Sequence, residues 1–386
     1  MRLDSSRVNQ STMEIRIAVS ELSKALQLLQ GVAQRKNTMP ILAHVFLEAQ
    51  GNTLRLSATD LDIGLQIIRA CEVNQPGAIT VSAKSLLDIV KLLPGPYVTL
   101  VTLPNQHLLV KSAKTQARLL ALPPEEFPRL PDITGISCNK MNTKNFLEAI
   151  QKTIYSSSVD ENRYNLTGVY LEPGHSPKDP FVFVSTDGHR LSHYMLTLDQ
   201  ETLSLPMPVI LPRKGLIELI KILEAHVGTE NHQFDLGFSH HQAVLKTEDV
   251  LLTMRLIDGK FPDYKQVIPK ISDKIIRATK SDFVASLRRV SVLTSDRNQS
   301  VKLVLKPSEL TVSCVNPEAG EVSDDVPIDY TGPDMEIAFS AGYLMEALSS
   351  LSDSNIMMRF TDPYSPAILT GIHEEHHLCV VMPIRL

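Results

Sequence analysis

One layout recurs three times along this chain, and a chain written that way folds as copies of one unit rather than around a single core. The clearest markers are three helix entries, Ser82-Ala83-Lys84-Ser85-Leu86-Leu87-Asp88, Pro212-Arg213-Lys214-Gly215-Leu216-Ile217-Glu218 and Ser340-Ala341-Gly342-Tyr343-Leu344-Met345-Glu346; from 82 to 212 is 130 residues and from 212 to 340 is 128. A second helix precedes each of them: Ser20 stands before Leu22-Ser23-Lys24-Ala25-Leu26, Thr143 before Phe146-Leu147-Glu148-Ala149-Ile150, and Thr279 before Phe283-Val284-Ala285-Ser286-Leu287. Each opens on a residue type that caps helices and continues with apolar residues at helical period. Strand-like alternation fills the rest of each copy, in the order strand, helix, two strands around a polar turn, second helix, long hairpin. The fold class expected is α+β, three tandem copies of one domain, each with two helices packed on antiparallel sheet.

Length supports that division. A chain of 386 residues exceeds the roughly 250–300 at which single cores stop growing. Proline-rich joints, Leu122-Pro123-Pro124-Glu125-Glu126-Phe127-Pro128 and Ile257-Asp258-Gly259-Lys260-Phe261-Pro262-Asp263-Tyr264, disfavour helix and central strand. The boundaries expected are a disordered lead-in at 1–12 and domains at 13–137, 138–268 and 269–386. The third copy ends in Cys379-Val380-Val381-Met382-Pro383-Ile384-Arg385-Leu386, where its apolar residues have no following domain to pack under. Hydrophobic content of 43% with 21% charged residues suits a soluble globular protein, no apolar run approaches the ~20 residues that span a bilayer, and the N-terminus lacks the order of a secretory signal. The cysteines, Cys71, Cys138, Cys314 and Cys379, have no C-x-x-C spacing and read as reduced thiols of a cytosolic chain.

A net charge of −5 taken alone argues against nucleic acid, but its distribution does not. Lys84 and Lys91 are seven apart, Lys144 and Lys152 eight, and Lys214 and Lys221 seven with Arg213 beside them. Such spacings put the positive charge on one helix face, with Leu216, Leu219 and Leu223, or Phe146, Leu147 and Ile150, on the other. Lys24, Arg35, Lys36, Lys280, Arg288 and Arg289 extend the pattern, while acids gather in turns such as Glu318 to Asp325. A basic helical layer on an acidic protein is expected to receive a polyanion. With aromatics at 5% and no zinc-finger or RNP signature, contact would be with the backbone and indifferent to sequence.

Two runs imitate chemistry. Asp187-Gly188-His189 invites a hydrolase reading with Asp187 orienting His189 as a base, but no nucleophile is evident beyond the neighbours Ser185 and Ser192, and the glycine favours a tight turn after the strand at 181–185. His373, Glu374, Glu375, His376, His377 and Cys379 have metal-ligand composition, yet in a strand His377 and Cys379 share a face while His376 points away. That run, like His240-His241, is expected to be a solvated hairpin tip. There is no P-loop and no G-x-G-x-x-G; no metal and no cofactor is expected.

Several motifs are more specific than any of these: Thr38-Met39-Pro40-Ile41-Leu42, Thr59-Asp60-Leu61, Thr186-Asp187-Gly188-His189-Arg190-Leu191, Asp258-Gly259-Lys260-Phe261-Pro262-Asp263-Tyr264, Asn316-Pro317-Glu318 and Val381-Met382-Pro383-Ile384-Arg385-Leu386. Together, from Met13 onward, they resemble the bacterial DNA polymerase III beta subunit family, the sliding clamps. The resemblance implies three DNA-clamp domains per chain and a head-to-tail homodimer closed into a ring. It implies a cytoplasmic, nucleoid-associated processivity factor without catalysis of its own, whose Lys24, Lys36, Lys84, Lys91, Lys144, Lys152, Arg213, Lys214, Lys221 and Arg288 face double-stranded DNA. The partners it implies are the DNA polymerase III alpha subunit, the clamp loader delta subunit, other DNA polymerases and mismatch-repair proteins.

Carried over by residue, the family's cleft for an apolar partner peptide comprises Leu166, Thr186, Gly188, His189, Arg190, Leu191, Pro262, Val267, Tyr343, Val380, Met382, Pro383, Ile384 and Arg385. Gln266, Ser340 and Pro366 depart from the family's pattern at the rim. The dimer contact expected sets Val292, Leu293, Glu318, Glu321 and Asp324 of one protomer, with Asp325, against Lys84, Lys114, Ala117 and Leu119 of the other. Two other classes stand beside this reading: a repeat-built protein scaffold without DNA binding, and the hydrolase centred on Asp187 and His189. The scaffold has no need of basic helices, and the hydrolase none of three copies.

Overall fold

The computed structural model describes residues 13–33, 39–174, 176, 179–197, 205, 207–226, 232–270, 272–294 and 300–385. Arg35, Lys36, Thr38, Leu386 and the lead-in at 1–12 lie outside the described residues. Six α-helices are described: α1 (Val19–Val32), α2 (Ala83–Val90), α3 (Thr143–Ile154), α4 (Arg213–His226), α5 (Lys280–Val290) and α6 (Ala341–Ser350). Each buries the face its sequence marks, as α1 does with Leu22, Ala25, Leu26, Leu29 and Val32, and α6 with Ala341, Leu344, Ala347 and Leu348. Ser82 and Ser340 cap α2 and α6, accepting from Ser85 N at 3.3 Å and Tyr343 N at 3.4 Å. The first-helix entries differ from expectation. Ser20 lies inside α1, whose cap is Ala18; Thr279 caps α5 without a side-chain bond; and Thr143 pairs its hydroxyl with His232 Nδ1 at 3.0 Å. Strand pairing just upstream fixes these entries, so no side-chain acceptor is required.

The strands are β1 (Glu14–Ala18), β2 (His44–Gln50), β3 (Thr53–Thr59), β4 (Ile63–Ala70), β5 (Glu72–Gln75), β6 (Gly77–Ser82), β7 (Tyr97–Leu103), β8 (His107–Ser112), β9 (Thr115–Leu122), β10 (Cys138–Asn142), β11 (Gly168–Glu172), β12 (Phe181–Thr186), β13 (Arg190–Leu196), β14 (Val209–Pro212), β15 (Gln233–Phe238), β16 (Gln242–Lys246), β17 (Val250–Arg255), β18 (Lys274–Thr279), β19 (Ser300–Lys306), β20 (Glu309–Asn316), β21 (Gly320–Pro327), β22 (Met335–Ser340), β23 (Asn355–Phe360), β24 (Ala367–Gly371) and β25 (His377–Val381). Two compact units contain them: the described residues up to Thr143 with Ile217–Leu256, and Lys144–Leu216 with the residues from Ile257 on. In the first, one array runs β10-β15-β16-β17-β4-β3-β2-β6-β9-β8-β7-β1-β5. In the second, β14-β11-β12-β13-β25-β24-β23-β18 forms one sheet and β21-β20-β19-β22 another. The middle repeat thus contributes strands to both units, because its hairpins pair with strands of the copies on either side.

Those pairings obey one rule. β4 runs antiparallel to β17, with Ile63 opposite Met254, and Arg255 N donates to Asp62 O at 2.8 Å. β13 runs antiparallel to β25, with Arg190 opposite Val381, and Met382 N donates to His189 O at 2.9 Å. The turn before each first strand needs a left-handed residue, which is Leu61 (φ 82) in one case and Gly188 (φ 90) in the other. The main core cluster of the second unit is apolar, with Phe283, Leu287, Phe339, Leu344 and Phe360 essentially inaccessible.

Candidate functional site

The turn at 187–189 is held from within. Asp187 Oδ1 accepts from His189 N (2.9 Å) and Arg190 N (3.1 Å), and its Oδ2 accepts from Arg190 Nε at 3.0 Å. Thr186 Oγ1 accepts from Gly188 N (3.1 Å) and donates to Arg190 O (2.6 Å), while Arg163 Nη1 donates to Asp187 O at 3.1 Å. Asp187 is therefore occupied as a turn former, and the His189 ring lies along Tyr343 with centroids 6.4 Å apart. Ser185 and Ser192, the nucleophiles a hydrolase would need, are buried and donate to the carbonyls of Thr153 and Lys152. This geometry is a loop scaffold, not an acid–base pair.

Arg190 is fixed just as firmly. It pairs with Glu346, donates Nη2 to Tyr155 O at 2.8 Å, and lies 4.4 Å from the Tyr343 ring centroid. Burial opposes its charge, but Glu346 and Asp187 more than compensate and raise its pKa. Below it, Leu166, Leu191 and Val380 join Val184, Ile210, Phe261 and Tyr264 in one apolar cluster. Pro262 and Val267 flank the last two, and Asn165 Nδ2 ties the segment to the turn at 161–166 through Lys260 O at 3.0 Å. The chain end continues β25: Ile384 N donates to Ala338 O at 2.7 Å, leaving Met382 and Ile384 about two-fifths exposed beside half-buried Pro383 and exposed Arg385. An apolar floor with exposed apolar side chains at its edge can take up a short apolar peptide, and an unbranched Met382 repacks around varied ones.

The rim expectations divide. Gln266 Nε2 bonds Asp263 at 2.8 Å, and Pro366 is half-buried. Ser340 is no rim residue, because it is buried as the cap of α6. Sequence reasoning missed Tyr155, Arg163 and Glu346, which hold the turn and Arg190, and Tyr164, which lies against Gly259. An exposed tyrosine in Arg163-Tyr164-Asn165, 58% accessible, was the available signal.

Among the basic residues, Lys24, Lys91, Lys144, Lys221 and Arg288 are exposed, with Lys221 paired to Glu218 (2.8 Å), and Lys84 is partly exposed in a pair with Asp88 (3.8 Å). Lys214 is half-buried. Two assignments are corrected. Lys152 is buried, its ammonium bonded to Glu374 and, at 2.7 Å, to Ser352 Oγ. Arg213 turns inward to Ile154 O and to Ser157 Oγ (2.8 Å), and burial lowers its pKa. Helical spacing placed both on the lysine face but carried no information about polar partners behind it.

The expectation for the His373–Cys379 run is corrected in part: His373, Glu375 and His376 are exposed at the turn before β25, but the rest of the run faces inward. Glu374, His377 and Cys379 are buried. His377 Nδ1 faces Glu374 at 3.5 Å, its Nε2 lies 3.2 Å from Ser192 Oγ and 3.6 Å from Cys379 Sγ, and Tyr155 Oη donates to that sulfur at 3.1 Å. Burial opposes each charge here. The facing His377 ring and hydrogen bonds from Lys152 and Ser352 still hold Glu374 down to about 2, while Cys379 and Glu374 lift His377 to about 9. No group of three or more His, Cys, Asp or Glu among the described residues is arranged to hold a metal ion.

Of the residues expected at a dimer contact, Ala117 and Leu119 lie on β9 and Glu321, Asp324 and Asp325 on β21, both with an open edge, whereas Lys84 is on α2, Lys114 and Glu318 are in turns, and Val292 and Leu293 form a 3-10 turn after α5. Among the described residues, 115–120 of β9 pair only with β8, and β21 pairs only with β20. Ala117 and Leu119 are half-buried, Lys114 is exposed, Val292 is 78% exposed, and Leu293 packs partly into the core. Glu318 and Glu321 are exposed, whereas Asp324 is paired with Arg289 at 2.5 Å.

Comparison with known proteins accounts for this architecture. Family models of the DNA polymerase III beta subunit match in chain order, the N-terminal domain at 13–131, the central domain at 140–263 and the C-terminal domain at 265–385. The beta sliding clamp of Pseudomonas putida is 33% identical over 97% of this chain and 100% of its own length, and that of Escherichia coli K12 is 31% identical with the same coverage. Among solved structures, a Caulobacter crescentus beta sliding clamp superposes with a TM-score of 0.91 at 32% identity, covering 98% of this chain and all of that one. A Bartonella birtlesii sliding clamp bound to griselimycin does so with 0.91 at 30%, covering 97% and 100%. Matched end to end in sequence and in fold, this chain belongs to the DNA polymerase III beta subunit family, the beta sliding clamps, which are non-catalytic processivity subunits of that polymerase.

Proposed function

We propose that this chain acts as a ring-shaped homodimer that encircles duplex DNA without reading its sequence and tethers partner proteins through the cleft at its C-terminal end. The observation that carries the tether is the Met382–His189 backbone bond, which sets an exposed apolar chain end over the Leu191–Val380 floor. Partners carrying short apolar peptides would be the polymerase III alpha subunit, the loader's delta subunit, other polymerases and mismatch-repair proteins. Modest affinity follows, since burial at about 25 cal/mol per Å² must first offset ordering costs. The exposed Lys24, Lys91, Lys144 and Arg288 would meet phosphates, and topology rather than tight contact would retain the ring.

Closure would pair the open edge of β9 with that of β21 in a second copy, a heterologous contact that ends in a ring. Three domains with joints near 137/138 and 268/269, and a nucleoid-associated place in the cytoplasm, complete the reading. Retention on circular DNA tests it: the protein should stay on a closed plasmid after loading and leave when the plasmid is cut. Equal retention on linear DNA would replace encirclement by ordinary binding.

A further inference from the structure

Two places in this chain share a plan and are filled differently. In the second unit, Tyr170 on β11 stacks on Phe261, centroids 4.7 Å apart. Tyr264, three residues beyond Phe261, sets its ring against Tyr170 (6.3 Å) and donates its hydroxyl to Glu172 Oε2 at 2.5 Å, while Lys265 Nζ reaches Glu172 Oε1 at 3.0 Å. In the first unit, Phe46 on β2 stacks on Phe127 at 5.5 Å. Glu48 follows Phe46 by two positions, as Glu172 follows Tyr170, and Phe127-Pro128 repeats Phe261-Pro262.

The counterpart of Tyr264 is Leu130, and that of Lys265 is Pro131. The ring and the ammonium are both missing from this copy. In their place is an open cavity of about 740 Å³, lined by Phe46, Glu48, Arg55, Ser57, Phe127 and Leu130 among others, a size typical of ligand sites. Its wall carries polar groups: Arg55 Nη1 bonds Glu48 Oε2 at 2.8 Å, and Ser57 is a residue 4% exposed beside them.

We propose that this cavity is a second docking site, separate from the cleft, and that it takes a tyrosine side chain of a partner polypeptide. The ring lies against the Phe46–Phe127 stack, where aromatic pairs gain beyond their buried area, and the phenolic hydroxyl donates to Glu48 as Tyr264 does to Glu172. A polypeptide rather than a free phenol is the occupant, because the chain's own filled copy brings the ring in on a peptide segment whose next residue also meets the carboxylate.

The probe is the tetrapeptide acetyl-Asp-Tyr-Lys-Gln-amide, the sequence of residues 263–266, titrated into the full-length protein. Saturable binding is expected, weakened roughly tenfold when the probe's tyrosine becomes phenylalanine, as loss of a hydrogen bond to a charged group requires. Leu130→Tyr should fill the cavity from within and abolish binding. Glu48→Gln, which needs no repacking, should shrink the difference between the two probes. Binding should survive deletion of residues 382–386, which separates this site from the cleft. Absence of saturable binding, equal binding to Leu130→Tyr, or equal affinity for both probes overturns the proposal. Free p-cresol binding as tightly as the peptide overturns the polypeptide occupant.

Discussion

Lys152 on α3 and Glu374, just before β25, form a salt bridge between side chains only 8% and 4% exposed. Removing one partner of such a pair strands a charge in a low-dielectric interior, at a cost of about 3–5 kcal/mol. Lys152→Met is expected to lower the urea midpoint accordingly, and Lys152→Met with Glu374→Leu to recover most of the loss. Urea titration at fixed protein concentration checks both; an unchanged midpoint for the single variant would remove the bridge as a stabilising element.

The same cluster sets a pH profile. Glu374, lowered from 4.5 to about 2, contributes stability that is present above pH 4.5 and lost as pH falls through 2. His377, raised from 6.5 to about 9, contributes stability that is complete below pH 6.5 and lost as pH rises through 9, offset in part by Cys379, whose pKa the same pairing lowers. His377→Gln should flatten the alkaline limb between 6.5 and 9 and retain an acid limb. Thermal melts across that window decide it, since an alkaline limb identical to the parent's would mean that no imidazolium is present.

Val292, 78% exposed, offers a cleaner test of the dimer than Leu293, whose side chain packs partly against the core. Val292→Asp should yield folded monomers by burying an unpaired charge at the contact. Sedimentation velocity showing the parent's dimer would exclude this surface.

Reversing Lys24, Lys91, Lys144 and Arg288 to Glu should leave the melting temperature nearly unchanged, because exposed charges contribute little to stability. Each lost phosphate contact should reduce the slope of log affinity against log salt by about 0.9. Salt titrations of DNA binding measure this, and an unaltered slope would make these side chains merely solvated.

Deleting residues 382–386 removes the exposed apolar edge while leaving the β13–β25 pairing from Arg190 to Tyr194 intact. Binding of a polymerase-derived clamp-binding peptide should fall below detection with the dimer preserved. Undiminished affinity would reject the cleft, and a substrate turned over only when His189 is present would restore the hydrolase.

Much of the fold was legible because helix faces and repeat spacing are local properties. The entries at Ser82 and Ser340 are caps because a serine hydroxyl meets an amide two or three residues on, which a sequence displays directly. Lys152 was misread because its acidic partner lies 222 residues away in the chain, and periodicity tells which face a residue is on but not what stands opposite. His377 and Cys379 were correctly set on one strand face, yet only the packing of Tyr155 and Ser192 shows that this face is interior. The expected cleft residues came from family motifs, which do not include Tyr155 and Glu346, the partners of Arg190.

The two open strand edges differ in sign. Around β9 stand Lys111, Lys114 and Arg118, and along β21 stand Glu321, Asp324 and Asp325. An unpaired edge is a template for any passing strand, and proteins guard against that with charge. Here the guard discriminates: like edges repel, so two copies of β9 or two of β21 are kept from zipping into a sheet that grows without limit. The charges that give an assembly its polarity would also protect a newly made, solitary chain from aggregation, and neutralising either set would put its solubility at risk before its function.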